Sequence, residues 1–416
     1  MSADGAVLDA SSTLGASLVM AVGSSRLPKL YELSIAERCR VVTHAASLDG
    51  ETAAHLERGG GLSVATADTM SENVLATFSL PLSVGLNFVV NGRDVIVPMA
   101  TEEASVVAAA SFAARLVRET GGFRGEADEP IMTAQIQLDE VADPVAAERD
   151  LLAAKAELAE RVDASIPGVV SRGGGFRELE VRSLGEGFVV VHVHVDVRDA
   201  MGANIVDTVA EAIGDRVAEL AEGRLGLRIL TNLCLRRRVR VAASVRAADL
   251  GGEALADGIA RASRFAELDA FRAATHNKGF MNGVDAVALA LGQDARALEA
   301  GAHAFAATGG AWGSRSYAPL AVWRRTESGL VGEAELPMAV GTVGGSCRSH
   351  EGVRAASAIL GARSAKELAV IIASVGLASN LAALRALAGE GIQRGHMRLH
   401  AKKTCVAGAA TKEPRS

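Results

Sequence analysis

Cysteine is scarce in this chain and widely scattered. The 416 residues include four cysteines, and no two of them are separated by two residues. This spacing excludes a disulfide framework and a cysteine-based zinc ribbon. We therefore expect a protein of a reducing compartment, the cytoplasm.

Excess positive charge and long apolar runs are also missing. The formal net charge is −6, which gives no electrostatic reason to expect nucleic acid or an anionic membrane as a partner. The longest uncharged stretch, residues 368–384, is interrupted by serine, glycine and asparagine, so we expect a buried helix there. Residues 1–24 lack the basic start of a secretory leader and are predicted to form a loose extension.

The usual cofactor and hydrolase motifs are absent from the sequence. It contains no G-x-G-x-x-G after a first strand, no Walker loop and no G-x-S-x-G elbow. His396 and His400 are four residues apart but lack the glutamate of H-E-x-x-H. His192 and His194 alternate on a predicted strand and resemble a metal pair, but no third ligand lies close by in the sequence. We therefore predict ordinary strand histidines and no metal.

The order of local patterns predicts an α+β fold in which a small unit is inserted into a larger, mostly helical one. Asn91-Gly92 between two β-rich runs indicates a hairpin, and residues 101–115 read as a helix. From Pro130 the pattern changes to a strand at 131–138, a helix at 144–163 and a strand at 180–196. Alanine-rich helices then return. We predict a large domain from 25–129 and 233–390, a small domain at 130–232, and a terminal segment at 391–416.

Lys278 is the strongest candidate for chemistry, since polar residues surround it in an otherwise apolar region. If the segment is helical, Lys278 and Asn282 share a face, with Arg272 just upstream. An ammonium held away from bulk water suits the stabilisation of a developing oxyanion. The alternative is that the Thr-His-Asn cluster before the lysine merely starts a helix. Glu102 or Glu103, Asp294 and His396 would complete an acid–base set if folding brings them together.

Two further segments permit two interpretations each. A strand, a glycine turn and a helix follow one another around Gly202, a geometry that binds anions at the helix start but that often binds nothing. The basic run from Arg236 to Arg240 is interpreted either as one solvated strand face or as the site of an anionic ligand such as a phosphate.

Five motifs occur together in an order that resembles a known family. They are Glu72-Asn73-Val74, Glu103 followed by Ser105-Val-Val-Ala-Ala-Ala, Asp199-Ala-Met-Gly-Ala-Asn204, the run from Arg272 to Gly283, and Glu390-Gly-Ile-Gln-Arg-Gly-His396. From about Ser25 to His400 the chain resembles the class II, soluble prokaryotic 3-hydroxy-3-methylglutaryl-coenzyme A (HMG-CoA) reductases. The resemblance implies interconversion of HMG-CoA and mevalonate plus coenzyme A by two hydride transfers.

The resemblance also implies roles for individual residues. Lys278 matches the family's oxyanion-stabilising lysine, Glu103 its proton donor and Asp294 the aspartate that tunes both. His396 matches the histidine that protonates the departing coenzyme A thiolate. Residues matched to substrate contacts are Ser105, Asn232, Arg272, Asn282, Glu72 and Asn73. Residues matched to the nicotinamide cofactor, bound in a non-Rossmann manner, are Asp199, Met201, Gly202 and Asn204.

Cofactor choice and assembly follow from the same resemblance. Asp163 lies where NAD-preferring members carry an aspartate that binds the ribose 2′-hydroxyl and repels a 2′-phosphate, so NAD is expected over NADP. The family forms homodimers with the active site at the subunit interface, and its C-terminal segment closes over that site as a flap.

Several positions depart from the family pattern. Ala76 replaces a glycine where coenzyme A passes, Ala104 replaces a proline, and Tyr31 and Ser379 replace a basic residue and a glutamine. The C-terminal segment is also shorter than usual. These departures leave an alternative, a catalytically impaired paralogue that binds acyl-CoA or nucleotide without efficient turnover.

Overall fold

The structure is a computed structural model of the 416-residue chain, and it describes residues 22–27, 29–313, 317–345, 349–389 and 391. Almost all of the two predicted terminal segments, 1–24 and 391–416, therefore lies outside the described residues, as does His396. The described part contains helices and several small antiparallel sheets, so the α+β prediction is confirmed.

The helices and strands are numbered here in chain order. The helices are α1 (Ile35–Ala46), α2 (Gly50–Glu57), α3 (Val64–Asp68), α4 (Val106–Arg118), α5 (Pro144–Ala153), α6 (Lys155–Ser165), α7 (Pro167–Val170), α8 (Ala203–Leu220), α9 (Ala247–Leu250), α10 (Glu253–Leu268), α11 (Ala270–Ala290), α12 (Ala295–Ala307), α13 (Glu351–Leu360) and α14 (Ala365–Ala388). The strands are β1 (Leu82–Val90), β2 (Arg93–Ala100), β3 (Arg124–Ala127), β4 (Ile131–Asp139), β5 (Gly175–Gly185), β6 (Phe188–Asp196), β7 (Arg224–Leu230), β8 (Arg238–Arg246), β9 (Ala321–Arg325) and β10 (Gly329–Pro337).

The larger part of the fold, which we call the large unit, is built from the segments before β4 and after β7. The β1–β2 hairpin turns at Asn91 and Gly92, whose positive φ angles of 48° and 79° fit the predicted Asn-Gly turn. Strands β3, β8, β10 and β9 form an antiparallel sheet in that order. Helix α14 packs against β3, β8 and β10, α11 packs against α14 and β2, and these elements share one apolar core.

Helix α14 is the most apolar element of the large unit. Of the described residues it alone forms a helix long and apolar enough to cross a membrane, yet 83% of its most apolar window is buried inside the protein. Its start is fixed by Ser364, whose side chain accepts a hydrogen bond from the backbone of Glu367. Helix α14 is thus a core helix, as the uncharged stretch predicts.

The small unit comprises β4 to β7 and the helices between them. Its antiparallel sheet has the order β5-β6-β4-β7, and α6 and α8 pack beside it around a second apolar core. In β6, Val191 and Val193 belong to this core, while His192 and His194 alternate with them and lie on the opposite face.

Two predicted elements of the small unit are wrong in detail. The single strand expected at 180–196 is a hairpin, because Glu186 and Gly187 adopt φ angles of 54° and 79° and turn the chain between β5 and β6. The single helix expected at 144–163 is two helices, since the backbone leaves helical geometry at Ala154.

Gly283 permits the close approach of α11 and α14. A Cβ atom at Gly283 would lie 2.6 Å from the carbonyl oxygen of Val375 and 2.5 Å from Oγ of Ser379. The same atom at Gly279, one turn earlier, would meet only Cβ of Ala383, at 3.7 Å.

We expect Gly283→Ala to lower the free energy of unfolding by roughly 1–3 kcal/mol, because the new methyl group forces the two backbones apart. Gly279→Ala is the matched control and should raise it by roughly 0.5–1 kcal/mol through helix propensity alone. Urea denaturation measures both. Equal stability of the two variants would contradict the close packing of α11 against α14 at Gly283.

Candidate active site

Helix α11 carries the polar run that the sequence singles out. Its N-cap is Asp269, whose carboxylate accepts a hydrogen bond from the backbone N–H of Arg272 at 2.9 Å. The Thr-His-Asn cluster therefore lies within the helix and does not start it, which removes the alternative interpretation. Lys278 and Asn282 lie four residues apart on this helix, as expected.

His276 and Asn277 serve the fold. The Nε2 atom of His276 lies 2.8 Å from the carbonyl oxygen of Ala321, and the side-chain amide of Asn277 donates to the carbonyl of Ala318. Burial lowers the pKa of His276 to about 4, so the ring is neutral at physiological pH. These contacts anchor the helix and leave Lys278 on its accessible side.

Lys278 meets Glu103 across the cleft. Its Nζ atom donates a hydrogen bond to Oε2 of Glu103 at 2.9 Å, joining α11 to the loop before α4. The side chains of Lys278 and Glu103 are 61% and 39% exposed. The expectation that this ammonium is held away from bulk water is therefore wrong for the single chain.

The loop that carries Glu103 is longer than the sequence predicts. Helix α4 begins at Val106 and not at Thr101, because Ser105 has a φ angle of 80° in the left-handed region. A serine pays a steric penalty there, and such conformations concentrate at functional sites. Glu103 thus projects from an irregular segment and has no helix dipole to offset.

A cleft of about 440 Å³ surrounds the Lys278–Glu103 pair. Its lining includes three predicted substrate contacts, Ser105, Arg272 and Asn282. It also includes Ser379, one of the positions that depart from the family pattern. Burial lowers the pKa of Arg272, but a guanidinium remains charged at any physiological pH. The cleft therefore presents two cations, one carboxylate and neutral hydrogen-bonding groups.

Asp294 does not join this cleft within one chain. It is the N-cap of α12, where its carboxylate accepts from the backbone of Ala297 at 3.0 Å. Twelve helical residues separate Lys278 from the end of α11 at Ala290, which is roughly 18 Å of helix. Asn232 also lies against α12, since its carbonyl oxygen would be 2.7 Å from a Cβ atom on Gly301.

Glu72 and Asn73 line a different groove of about 660 Å³. This groove includes Leu289 and Ala290, at the opposite end of α11 from Arg272, and Ala76 also contributes to its wall. Two apolar side chains of the same segment are almost fully exposed, Leu75 at 95% and Phe78 at 94%. Each chain thus carries two separated groups of the predicted residues.

The predicted cofactor segment, Asp199 to Asn204, leads from β6 into α8. Gly202 has a φ angle of 102°, and a Cβ atom there would lie 2.7 Å from Val197. Asn204 is exposed in the first turn of α8. The carboxylate of Asp199 accepts a hydrogen bond from the backbone of Ala365 at 2.9 Å, which ties the segment to α14.

Arg237 positions this segment, and the sequence gives no sign of that role. Its buried guanidinium donates to the carbonyl oxygens of Met201 at 2.8 Å, Ala200 at 3.1 Å and Val340. Burial lowers its pKa to about 10, so it stays charged. The basic run is therefore neither one solvated face nor an open anion site. Within it Arg238 and Arg240 also bind carboxylates, those of Asp128 and Glu335.

Asp163 lies on α6 beside the start of β5. One of its carboxylate oxygens accepts from the backbone N–H of Phe176 at 2.7 Å. A Cβ atom on Gly175 would touch that carboxylate, and one on Gly174 would touch Arg198, just before the cofactor segment. Among the described residues, none donates a hydrogen bond to the second oxygen of Asp163.

A pair of carboxyl groups joins α11 to α12, and no sequence motif marks it. Asp285 contacts Glu299 on α12, and Glu299 in turn lies 2.6 Å from Nε2 of His303. Burial, together with the hydrogen bond and negative charge of Glu299, raises the pKa of Asp285 to about 8. Asp285, on the helix that carries Lys278, therefore keeps a proton at neutral pH beside Glu299 of α12.

Comparisons with known proteins agree with one another. The family described as "Hydroxymethylglutaryl-coenzyme A reductase" matches residues 34–401. The 3-hydroxy-3-methylglutaryl-coenzyme A reductase of Archaeoglobus fulgidus is 45% identical over 93% of this chain and 88% of its own length. A probable reductase of the same kind from Borreliella burgdorferi is 38% identical over 80% of this chain and 77% of its own length.

Solved structures lead to the same family. The class II reductase of Streptococcus pneumoniae bound to NADPH in open conformations is 42% identical and superposes with a TM-score of 0.83, over 86% of this chain and 98% of that one. A second structure of the S. pneumoniae enzyme gives a TM-score of 0.84 at 42% identity, over 91% of both chains.

Arg237→Lys should lower the free energy of unfolding by about 2 kcal/mol, because one ammonium cannot reach all three buried carbonyls. Arg236→Lys is the control, since Arg236 is exposed, and its effect should stay within about 0.5 kcal/mol. Chemical denaturation with both variants measures the difference. An undiminished stability of Arg237→Lys would mean that the carbonyls find other donors.

Asp285→Asn should change how stability depends on pH. The folded protein holds a proton on Asp285 that the unfolded chain releases, so this carboxyl makes stability fall as the pH rises from about 4 to about 8. Urea midpoints at about pH 5 and about pH 8 should therefore differ less in Asp285→Asn than in the parent protein. The exposed Asp215→Asn serves as control and should keep the parent's difference.

Proposed function

The chain belongs to the hydroxymethylglutaryl-coenzyme A reductase family, and from this premise we propose that it interconverts HMG-CoA and mevalonate plus coenzyme A by two hydride transfers with NAD(H). Enzymes of this family use a nicotinamide cofactor. The observation that carries the proposal is the Lys278–Glu103 pair, with 2.9 Å between Nζ and Oε2, in a cleft that also contains Arg272 and Asn282. We place this reaction in the cytoplasm.

Lys278 and Glu103 supply the electrostatics and the proton. When hydride reaches the thioester carbonyl, its oxygen becomes negative, and the ammonium of Lys278 stabilises that charge. Glu103 is within hydrogen-bond reach of Lys278, so a proton on its carboxyl group can pass to an oxygen held between the two. Ser105, Arg272 and Asn282 bind the hydroxymethylglutaryl group, and Arg272 is suited to its free carboxylate.

The reaction requires a homodimer. Asp294 acts on the Lys278–Glu103 pair. Because roughly 18 Å of α11 lies between Lys278 and the end of the helix at Ala290, and Asp294 follows that end, the aspartate comes from a partner subunit. Glu72, Asn73 and Asn232 complete the site from the same partner. The exposed Leu75 and Phe78 support this assembly, since neighbouring apolar side chains so fully exposed suit an interface.

The small unit, residues 130–232, binds the cofactor, and the large unit, 25–129 and 233–390, binds HMG-CoA. Asp199, Met201, Gly202 and Asn204 form the cofactor contact, held in place by Arg237. Asp163 favours NAD because its free carboxylate oxygen accepts from a ribose 2′-hydroxyl and repels a 2′-phosphate. His396, which lies outside the described residues, protonates the coenzyme A thiolate in this proposal.

The experiment that tests this function is the oxidation of mevalonate in the presence of coenzyme A, with NAD and NADP in parallel. Reduced nicotinamide absorbance that depends on both substrates supports the proposal. A folded protein that binds coenzyme A but gives no signal would instead identify the impaired paralogue, and Ala76 in the groove wall would be the first position to restore to glycine.

Lys278→Met should reduce kcat by roughly 100- to 1000-fold, the usual effect of removing an oxyanion donor. Lys366→Met is the matched control, since Lys366 forms a surface ion pair with Glu129 and should leave kcat unchanged. Steady-state rates with mevalonate and coenzyme A measure both variants. Full activity in Lys278→Met would contradict the assignment.

Asp163→Asn should lower the ratio of kcat/KM for NAD to that for NADP by about tenfold or more, because the amide removes the charge that repels a 2′-phosphate. The amide oxygen still accepts from Phe176, so the local fold is kept. Glu160→Gln, an exposed position on the same helix, is the control. An unchanged ratio would exclude Asp163 from cofactor choice.

A further inference from the structure

The outer face of the small unit's sheet carries two histidines and a glutamate side by side. Strand pairing sets His192 opposite Glu180 of β5 and Gln135 of β4. His194, two residues along β6, is paired with Thr133 of β4. Because alternate residues of a strand share a face, both imidazoles project on the side away from the valine core.

The potential ligand atoms of Glu180, His192 and His194 converge. One ligand atom from each of the three side chains lies within 4.8 Å of the other two. The Nε2 atom of His194 is 3.5 Å from Oε2 of Glu180. Ligands at 2.0–2.2 Å from a tetrahedral zinc ion are about 3.4 Å from one another, so this pair already has the spacing of a coordination edge.

His194 is oriented as metal-binding histidines are. Only 3% of the residue is exposed, and its Nδ1 atom lies 2.8 Å from the hydroxyl oxygen of Thr133. Among the residues that the structure describes, none forms a hydrogen bond with Nε2. With the proton on Nδ1 donated to Thr133, the lone pair of Nε2 points into the cluster.

One cation opposes metal binding and provides a test. Arg182 donates to Nε2 of His192 at 3.0 Å, and Gln135 lies 2.8 Å from the same atom. Arg182 is exposed, so its guanidinium is free to turn into solvent. Arg236, 3.9 Å from Glu180, is exposed as well.

From this geometry we infer that Glu180, His192 and His194 form a divalent metal site of the zinc type, with a fourth position open to water. Two imidazoles and one carboxylate are the donors that zinc prefers, whereas calcium and magnesium require more oxygen ligands. The metal would cross-link β5 to β6 two residues before Asp196, which binds Arg177 and Arg198. It would therefore stabilise the small unit, and it is independent of the proposed function.

The test is a zinc titration of the purified, tag-free protein by isothermal calorimetry, repeated with cobalt to record the visible absorption of a four-coordinate ion. We expect one zinc ion per chain in the parent protein and a raised melting temperature. Glu180→Gln and His192→Gln should weaken binding by at least tenfold, and Thr133→Val by roughly 10- to 100-fold through loss of orientation.

Two further variants make the result specific. Arg182→Gln should tighten zinc binding, because it removes the competing donor from His192. His44→Gln, which removes an exposed histidine on α1, should leave binding unchanged. An absence of zinc binding by the folded parent protein, or binding that survives both Glu180→Gln and His192→Gln, would overturn the inference whatever the reductase activity is.

Discussion

The arrangement of the two units depends on the hydrogen bonds that the buried guanidinium of Arg237 donates. It lies at the point where the chain returns from the small unit to β8, and it binds carbonyls in the cofactor segment and in the segment after β10 at once. Gly341 packs against the same segment so closely that a Cβ atom would be 2.4 Å from the backbone nitrogen of Met201. A charged donor is required here because three carbonyls meet where water is excluded. The predicted cofactor segment, Asp199 to Asn204, is thereby built into the junction of the two cores.

Sequence patterns were sufficient where local chemistry decides the structure. The Asn-Gly hairpin, the shared helix face of Lys278 and Asn282, and the buried helix α14 follow from turn geometry, helical spacing and one long uncharged stretch. They were insufficient where tertiary contacts decide. Nothing local predicts that Ser105 adopts a left-handed conformation, nor that one arginine of a basic run is buried.

The wrong prediction of a single strand at 180–196 changed how Glu180 and His192 were interpreted. When 180–196 is taken as a single strand, Glu180 lies about 40 Å from His192, at 3.3 Å per residue. The turn at Glu186 and Gly187 makes the two residues direct partners. The third residue of the inferred metal site is therefore present in the sequence, and only the hairpin shows where it lies. Similarly, the sequence suggests one acid–base set that includes Lys278 and Asp294, but α11 holds the two residues apart within one chain.

The length of α11 has a consequence for genetics. A helix that keeps Lys278 and Asp294 apart within each subunit means that every site of the proposed dimer draws on two polypeptide chains. A subunit defective at Lys278 paired with one defective at Asp294 would concentrate both lesions in one site and leave the other intact. Two inactive alleles would then restore part of each other's activity when expressed together.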